Sequence, residues 1–300
     1  MRKILFLLIC VLMVHRVAHA QAGETGLSFL KLGVGGRALG MGEAYTAVAS
    51  DPTAMYYNPA ALSQADNSQI LLMHKEWIEG VKTDYLGATT SWNAFRFGVS
   101  VNSTSVDDIE LRTVPGPAIG TFDARNAAIG VSLSYAIMPS LSLGMTAKYL
   151  YEKILVDEAN GYGIDIGAEY KTDWNIMLAG SISNLGSMNP LADESSVLPQ
   201  IFRAGAAYAI PLTDMDGTLT LASDVVSITN DNITHMHFGA ELEYHHAFAL
   251  RAGYQTGYDT KNFSAGIGFY YSLLKFDYAY VPFGEDFGAT HTFSLELDFQ

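Results

Sequence analysis

His235 and His237 stand one residue apart, with Glu241 four residues further on. Two imidazoles beside a carboxylate are a donor set that divalent metals use. On a strand the histidines would share a face, yet no spacing supplies a third ligand, so two polar residues near a strand end are the simpler reading. Asp157-Glu158 offer carboxylate oxygens in what reads as a loop. A calcium cage needs roughly 6–8 oxygens, and solvation of the loop accounts for the pair more simply. His245-His246 reads as a turn. No G-x-S-x-G elbow, phosphate-binding loop or H-E-x-x-H helix occurs, and Gly33-x-Gly35 lacks the preceding strand and remaining glycines of a dinucleotide site. The expectation is a protein that is not an enzyme and carries no metal or cofactor.

The residues that could do other work lie in one stretch, Gly35 to Leu62, GGRALGMGEAYTAVASDPTAMYYNPAAL. It is rich in glycine and alanine, and its only charges are Arg37, Glu43 and Asp51. Ala38, Leu39, Met41, Ala44, Tyr45 and Val48 recur at roughly helical spacing. Each glycine costs an isolated helix ~1 kcal/mol relative to alanine, so such a helix needs walls packed closely against it. Asp51-Pro52 and Asn58-Pro59 mark its turns. The segment therefore reads as a short helical plug inside an enclosed space. Arg37, Glu43, Asp51, Asn58 and Pro59 are its residues of interest, with Arg203 and Glu241 as charges that could receive them. Arg37, Asp51 and Asn58 have two readings, anchors onto those charges or helix caps and turn formers.

What encloses the plug is written in the rest of the chain. From Gln69 onward apolar and polar residues alternate with period two. Phe95, Phe97, Val99 and Val101 oppose Arg96, Gly98, Ser100 and Asn102. Leu141, Leu143, Met145, Ala147, Tyr149 and Tyr151 oppose Ser142, Gly144, Thr146 and Lys148. Tyr162, Ile164, Ile166, Ala168 and Tyr170 oppose Gly163, Asp165, Gly167 and Glu169, and Phe293 to Phe299 repeats the scheme. One face is large and greasy; the other is small or ionic. A soluble sandwich or barrel would put its bulky side chains inward and Lys, Glu and Thr outward. Small residues mixed with charges of both signs suit a lumen that pairs its own charges and houses an insert. The fold expected is all-β: a transmembrane antiparallel β-barrel of about fourteen strands with its plug in the lumen.

Connection lengths carry the same message. Short turns at Trp92-Asn93-Ala94, Met138-Pro139-Ser140 and Lys171-Thr172-Asp173 alternate with longer loops at 106–122, 154–161 and 184–199. Pro115-Gly116-Pro117 stiffens the first of these, which reads as the longest loop. The expected organisation is a signal peptide over 1–20, lead-in and plug over 21–68, and barrel over 69–300. Arg2 and Lys3, the apolar run Ile4–Val14 and Ala18-His19-Ala20 make the signal. Cys10, the one cysteine, lies within it, so thiol chemistry and disulfides leave with it. The formal net charge is −14, and loss of Arg2, Lys3 and Arg16 makes it −17. Nucleic acid is a poor partner for such a chain.

Gly36-Arg37-Ala38-Leu39-Gly40-Met41-Gly42-Glu43-Ala44, then Ala47-Val48-Ala49-Ser50-Asp51-Pro52, then Tyr57-Asn58-Pro59-Ala60-Ala61-Leu62 resemble the PorV/PorQ family, itself similar in architecture to the FadL-type channels. Gly120 to Ala124, Ala147 to Glu152 and Gly161 to Asp165 extend the likeness. The resemblance implies a fourteen-stranded barrel in the outer membrane of a Gram-negative bacterium, surrounded by outer-membrane lipid. It implies work beside the type IX secretion system, with secretion machinery or exported cargo carrying a C-terminal signal as partners. The alternative it leaves is a FadL-like channel that takes up hydrophobic small molecules. Barrels of this kind often finish on an aromatic residue, whereas here Phe299 is penultimate and Gln300 last.

Overall fold

The computed structural model describes residues 25–299, apart from 66, 193, 195 and 232. The expected signal peptide lies outside the described residues.

Fourteen antiparallel strands form one closed barrel in which every strand pairs with its sequence neighbours and β1 (Ser68–Glu76) pairs with β14 (Ala289–Phe299). Between them run β2 (Val81–Trp92), β3 (Phe95–Leu111), β4 (Gly120–Met138), β5 (Leu141–Ile154), β6 (Asp157–Lys171) and β7 (Ile176–Met188). They continue as β8 (Ile201–Leu212), β9 (Gly217–Ile228), β10 (Ile233–Tyr244), β11 (Phe248–Thr256), β12 (Phe263–Tyr271) and β13 (Leu274–Pro282). Closure leaves no unpaired edge, which is what a lipid environment demands of backbone polar groups. The ladder between β1 and β14 runs without interruption from Ser68–Phe299 to Glu76–His291.

The alternation resolves as greasy outside and polar inside. Val131, at 60% exposed, and Leu133 face out, while Ser132 and Ser134 between them are buried. Lys148, Asp165, Glu169, Arg203, Glu241, Arg251 and Glu296 all point into the lumen. Aromatic rings cluster at the short-turn end of the wall, among them Trp92, Phe95, Tyr135, Trp174, Phe248 and Tyr271. This is the position at which amphipathic rings meet a lipid–water boundary.

Three expectations need correction. The loop foreseen over 154–161 is a tight turn, Leu155-Val156, because β5 and β6 stay paired out to Ile154–Asp157. Asp157-Glu158 thus begin a strand, and Glu158 meets Lys153 across the pair at 2.6 Å. The segment 112–119 is also shorter than foreseen, since β3 and β4 remain paired to Leu111–Gly120. The longest connection is instead 189–200, between β7 and β8. The expected continuous helix of the plug is only one turn, α1 (Gly36–Gly40), followed by a second at α2 (Ala54–Tyr57). Gly42 (φ 64°) and Glu43 (φ 59°) adopt the left-handed conformation that turns the chain out of α1.

The core is the plug. Val34, Ala38, Met41, Tyr45, Met55, Tyr57 and Leu62 pack together and against Leu71, Met73 and Tyr85 of the wall. A second cluster joins Leu27, Phe29 and Leu30 to Leu150, Met188 and Leu198 at the long-loop end. From Thr25 the described chain thus runs from that end through the lumen and leaves at the short-turn end to begin β1.

Candidate functional site

The plug is held by charges that the wall presents at the level of α1. Arg37 reaches Glu241 through Nε at 2.9 Å and Nη2 at 2.7 Å, and its Nη1 donates to Ser50 Oγ at 3.0 Å. Glu241 also accepts from Arg251 Nε at 2.6 Å, and Arg251 Nη1 donates to Asp277 at 2.7 Å. Arg37 of the plug, Glu241 of β10, Arg251 of β11 and Asp277 of β13 alternate in charge, so each buried charge has an opposite neighbour, the condition under which such burial is tolerated. The forked guanidinium suits two-point recognition of a carboxylate.

Asp51 and Asn58 do the local work of turns instead. Asp51 accepts from Thr53 N at 2.7 Å and from Tyr45 Oη at 2.5 Å. Asn58 Oδ1 accepts from Ala60 N at 3.1 Å, capping the 3₁₀ turn Pro59–Gln64, and its Nδ2 donates to Ala168 O of the wall at 3.3 Å. Pro59 starts that turn, where its lack of an N–H costs nothing. Arg203 meets the plug without a carboxylate. Its guanidinium lies over the rings of Tyr56 (5.2 Å) and Tyr57 (5.6 Å).

Glu43 faces the long-loop end. Lys261, from the β11–β12 connection, reaches it at 3.2 Å, and Gln255 at 3.3 Å. Burial alone pushes this carboxyl up, but Lys261, with His237 and Lys75 nearby, more than reverses the effect and brings its pKa down to about 2. The histidines belong to the same cluster. His235 stacks on Tyr258 with centroids 3.7 Å apart, and His237 donates from Nδ1 to the Glu43 carbonyl at 3.3 Å while Nε2 accepts from Tyr258 Oη at 3.2 Å. Glu241 is engaged by its two arginines. Among the described residues no group of three His, Cys, Asp or Glu gathers as metal ligands.

Several plug anchors were not singled out from sequence. Asp224 on β9 accepts from Tyr45 N, Thr46 N and Thr46 Oγ1 at 2.9, 2.9 and 2.6 Å. Lys75 donates to Gly33 O at 2.7 Å, and Ser294 Oγ and Met73 Sδ accept from Gly36 N and Gly35 N at 2.8 and 2.9 Å. An aspartate or lysine at an inward position of an otherwise alternating strand was the available signal. The wall glycines fit the same picture: a Cβ on Gly144 would collide with the Pro59–Ala60 backbone, and one on Gly167 with Asn58. The plug lies directly on the wall there.

Spaces adjoin this assembly on several sides. A depression of about 480 Å³ opens on the lipid-facing wall, with Leu72, Leu86, Val101, Phe276, Phe293, Leu295 and the His74–Asp84 pair around it, and with Met73, Tyr85 and Ser294 forming its floor through their backbone, their side chains turned to the lumen. Those floor residues are the ones bonded to the plug, Tyr85 donating to Pro52 O at 2.8 Å. A narrow space of about 40 Å³ lies at the long-loop end beneath Trp77 and Phe283, beside Glu43, Lys75 and Lys261. A vestibule of about 640 Å³ lies on the plug's other side, toward the short turns.

The model of an uncharacterised protein family, UPF0164, matches residues 15–189. No curated protein sequence matches the chain. Among solved structures, the toluene transporter TbuX of Ralstonia pickettii is similar with a TM-score of 0.63 at 12% identity, over 89% of this chain and 99% of that one. The toluene transporter TodX of Pseudomonas putida gives 0.63 at 13% identity, over 89% and 99%. A FadL homologue of Pseudomonas aeruginosa gives 0.56 at 13%, over 89% and 98%. At these identities the likeness is one of fold.

Proposed function

The chain belongs to this uncharacterised family, and from that premise we propose that it is a non-enzymatic outer-membrane barrel that admits hydrophobic small molecules through its wall. The observation that carries the reading is the depression in the lipid-facing surface. Its rim is open to the bilayer and mostly apolar, with the His74–Asp84 pair at one side, while its floor is the backbone of Met73, Tyr85 and Ser294, whose side chains hold the plug. A hydrophobic molecule dissolved in lipid can settle there without crossing water. It would then lie against the strand backbone whose inward side chains, Met73, Ser294 and Tyr85, hold Gly35, Gly36 and Pro52. Passage inward requires β1 to part locally from a neighbour, since its ladders are continuous on both sides. The plug fills the middle of the lumen, so an open aqueous pore is not part of this reading.

The likeness to barrels described as toluene transporters and to a FadL homologue supports this reading over the secretion role. The test is uptake of radiolabelled toluene or xylene by lipopolysaccharide-bearing cells that lack their own hydrophobic channel and produce this chain. Faster uptake supports the proposal, and a Leu72→Lys variant that folds but loses the gain places the route at the depression.

A second reading, that the barrel docks type IX secretion partners or cargo, is favoured by the exposed apolar residues of the β3–β4 loop. Val114 and Ile119 flank the stiff Pro115-Gly116-Pro117 and are 68% and 67% exposed. Co-purification of secretion components from native membranes, lost on polar replacement of both residues, would support it.

A further inference from the structure

The vestibule at the short-turn end has a chemical character of its own. The plug forms its roof, with Ala47, Val48 and Ala49 apolar and Arg37 and Ser50 beside them. Its wall adds Met177 and Ala209 on the apolar side and Glu169 on the polar side. Its volume, about 640 Å³, lies in the range of small-molecule sites, roughly 300–1,000 Å³. Arg37 is already neutralised by Glu241.

Glu169 is different. It is 2% exposed, its Oε2 accepts from Gln64 Nε2 at 2.8 Å, and its Oε1 is buried with no hydrogen-bond partner in the protein. A buried polar oxygen left unpaired costs ~1–3 kcal/mol, more when charged. An unpaired carboxyl oxygen asks for a donor, and Glu169 borders a half-apolar chamber large enough to hold a molecule that would bring one.

We infer that this vestibule is a binding site for a neutral amphiphile with an apolar body and a hydroxyl head, the hydroxyl donating to Glu169 Oε1 and the body lying on Met177 and the alanines of the plug. A carboxylate head brings acceptor oxygens and no hydrogen for Glu169 Oε1, and an ammonium head would meet Lys171 at the rim. A hydrocarbon would leave Glu169 unpaired. The site is separate from the wall depression and lies across the plug from the Glu43 cluster. It rests on the proposed function only in taking small apolar molecules to reach the lumen, and binding by the purified barrel is measurable without any transport.

The experiment uses the full chain with Cys10→Ser and Ala209→Cys, purified into nanodiscs, and follows methanethiosulfonate labelling of the new thiol. The probes are 4-hexylphenol, 4-hexyltoluene and 4-hexylbenzoate. Saturable protection by the phenol, roughly tenfold tighter than by the toluene, is the result expected of one added hydrogen bond. Glu169→Gln, which keeps an acceptor oxygen, retains that preference, and Glu169→Leu loses it. Equal protection by phenol and toluene, stronger protection by the benzoate, or an unchanged preference in a folded Glu169→Leu barrel would overturn the assignment. The head-group series on the Ala209→Cys barrel decides the matter even where the Leu variant does not fold. Protection without cellular uptake would leave this site standing and remove the proposed function; uptake without protection would do the reverse.

Discussion

Arg37 Nη2 lies 2.7 Å from Glu241 Oε1, and the same carboxylate takes Arg251 Nε at 2.6 Å through its other oxygen. One wall residue therefore neutralises both the plug and a neighbouring strand. Removing Glu241 leaves the buried Arg251 and the half-buried Arg37 short of charge, whereas removing Arg37 leaves Glu241 still paired. Glu241→Leu is expected to destabilise by ~3–5 kcal/mol and Arg37→Leu by less. Urea unfolding of the barrel in lipid vesicles gives the order, and equal costs would mean that the network does not act as a unit.

The contact between plug and wall is close enough for a single methyl group to disturb. A Cβ on Gly144 or Gly167 runs into plug backbone or Asn58, while one on Gly180 meets only Arg203 O at 3.6 Å. Gly144→Ala and Gly167→Ala are expected to make the 36–62 segment sensitive to added protease while the barrel still migrates as a folded band. Gly180→Ala should leave the segment protected. Protection in all three variants would show that the wall yields.

Glu43 links the plug to pH. Its folded pKa, about 2, lies below the ordinary 4.5, so the folded state binds fewer protons than the unfolded one between those values. The stabilisation is present above about pH 4.5 and is lost as pH falls toward 2, amounting to roughly 3 kcal/mol at most. Lys261→Met removes the nearest cation, so plug protection should fail at a higher pH than in the parent. An acid profile unchanged by that substitution would place the plug's acid sensitivity elsewhere.

The faces of the wall predict an asymmetry between neighbours. Val131 points to lipid and Ser132 to the lumen. Val131→Lys is expected to cost ~2–4 kcal/mol of folding stability in a bilayer. Val131→Thr should cost far less. In detergent micelles, where water is nearer, the lysine penalty should shrink.

The barrel was legible because lipid and plug impose opposite demands on alternate residues, and Leu133 beside Ser132 carries that alternation plainly. Strand ends were less so. Gly161 reads as the end of a loop, yet it lies within β6, where pairing with β5 overrides local preference. The plug's position could be anticipated from its glycines, but its helix could not be drawn correctly, since the left-handed turn at Gly42-Glu43 interrupts a pattern that looks helical. Glu241 was named as a candidate for Arg37, although nothing local pairs residues 204 positions apart. Asp224 and Lys75 escaped notice because a single inward charge looks like any other until the plug is seen against it.

Uptake of a labelled monoaromatic hydrocarbon by cells producing the chain, compared with cells carrying an empty vector and with cells producing Leu72→Lys, tests the wall route most directly. Several-fold faster uptake with the parent barrel, lost in the folded lysine variant, is the expected result. Equal uptake in all three, with the barrel shown to be folded in the outer membrane, would contradict it.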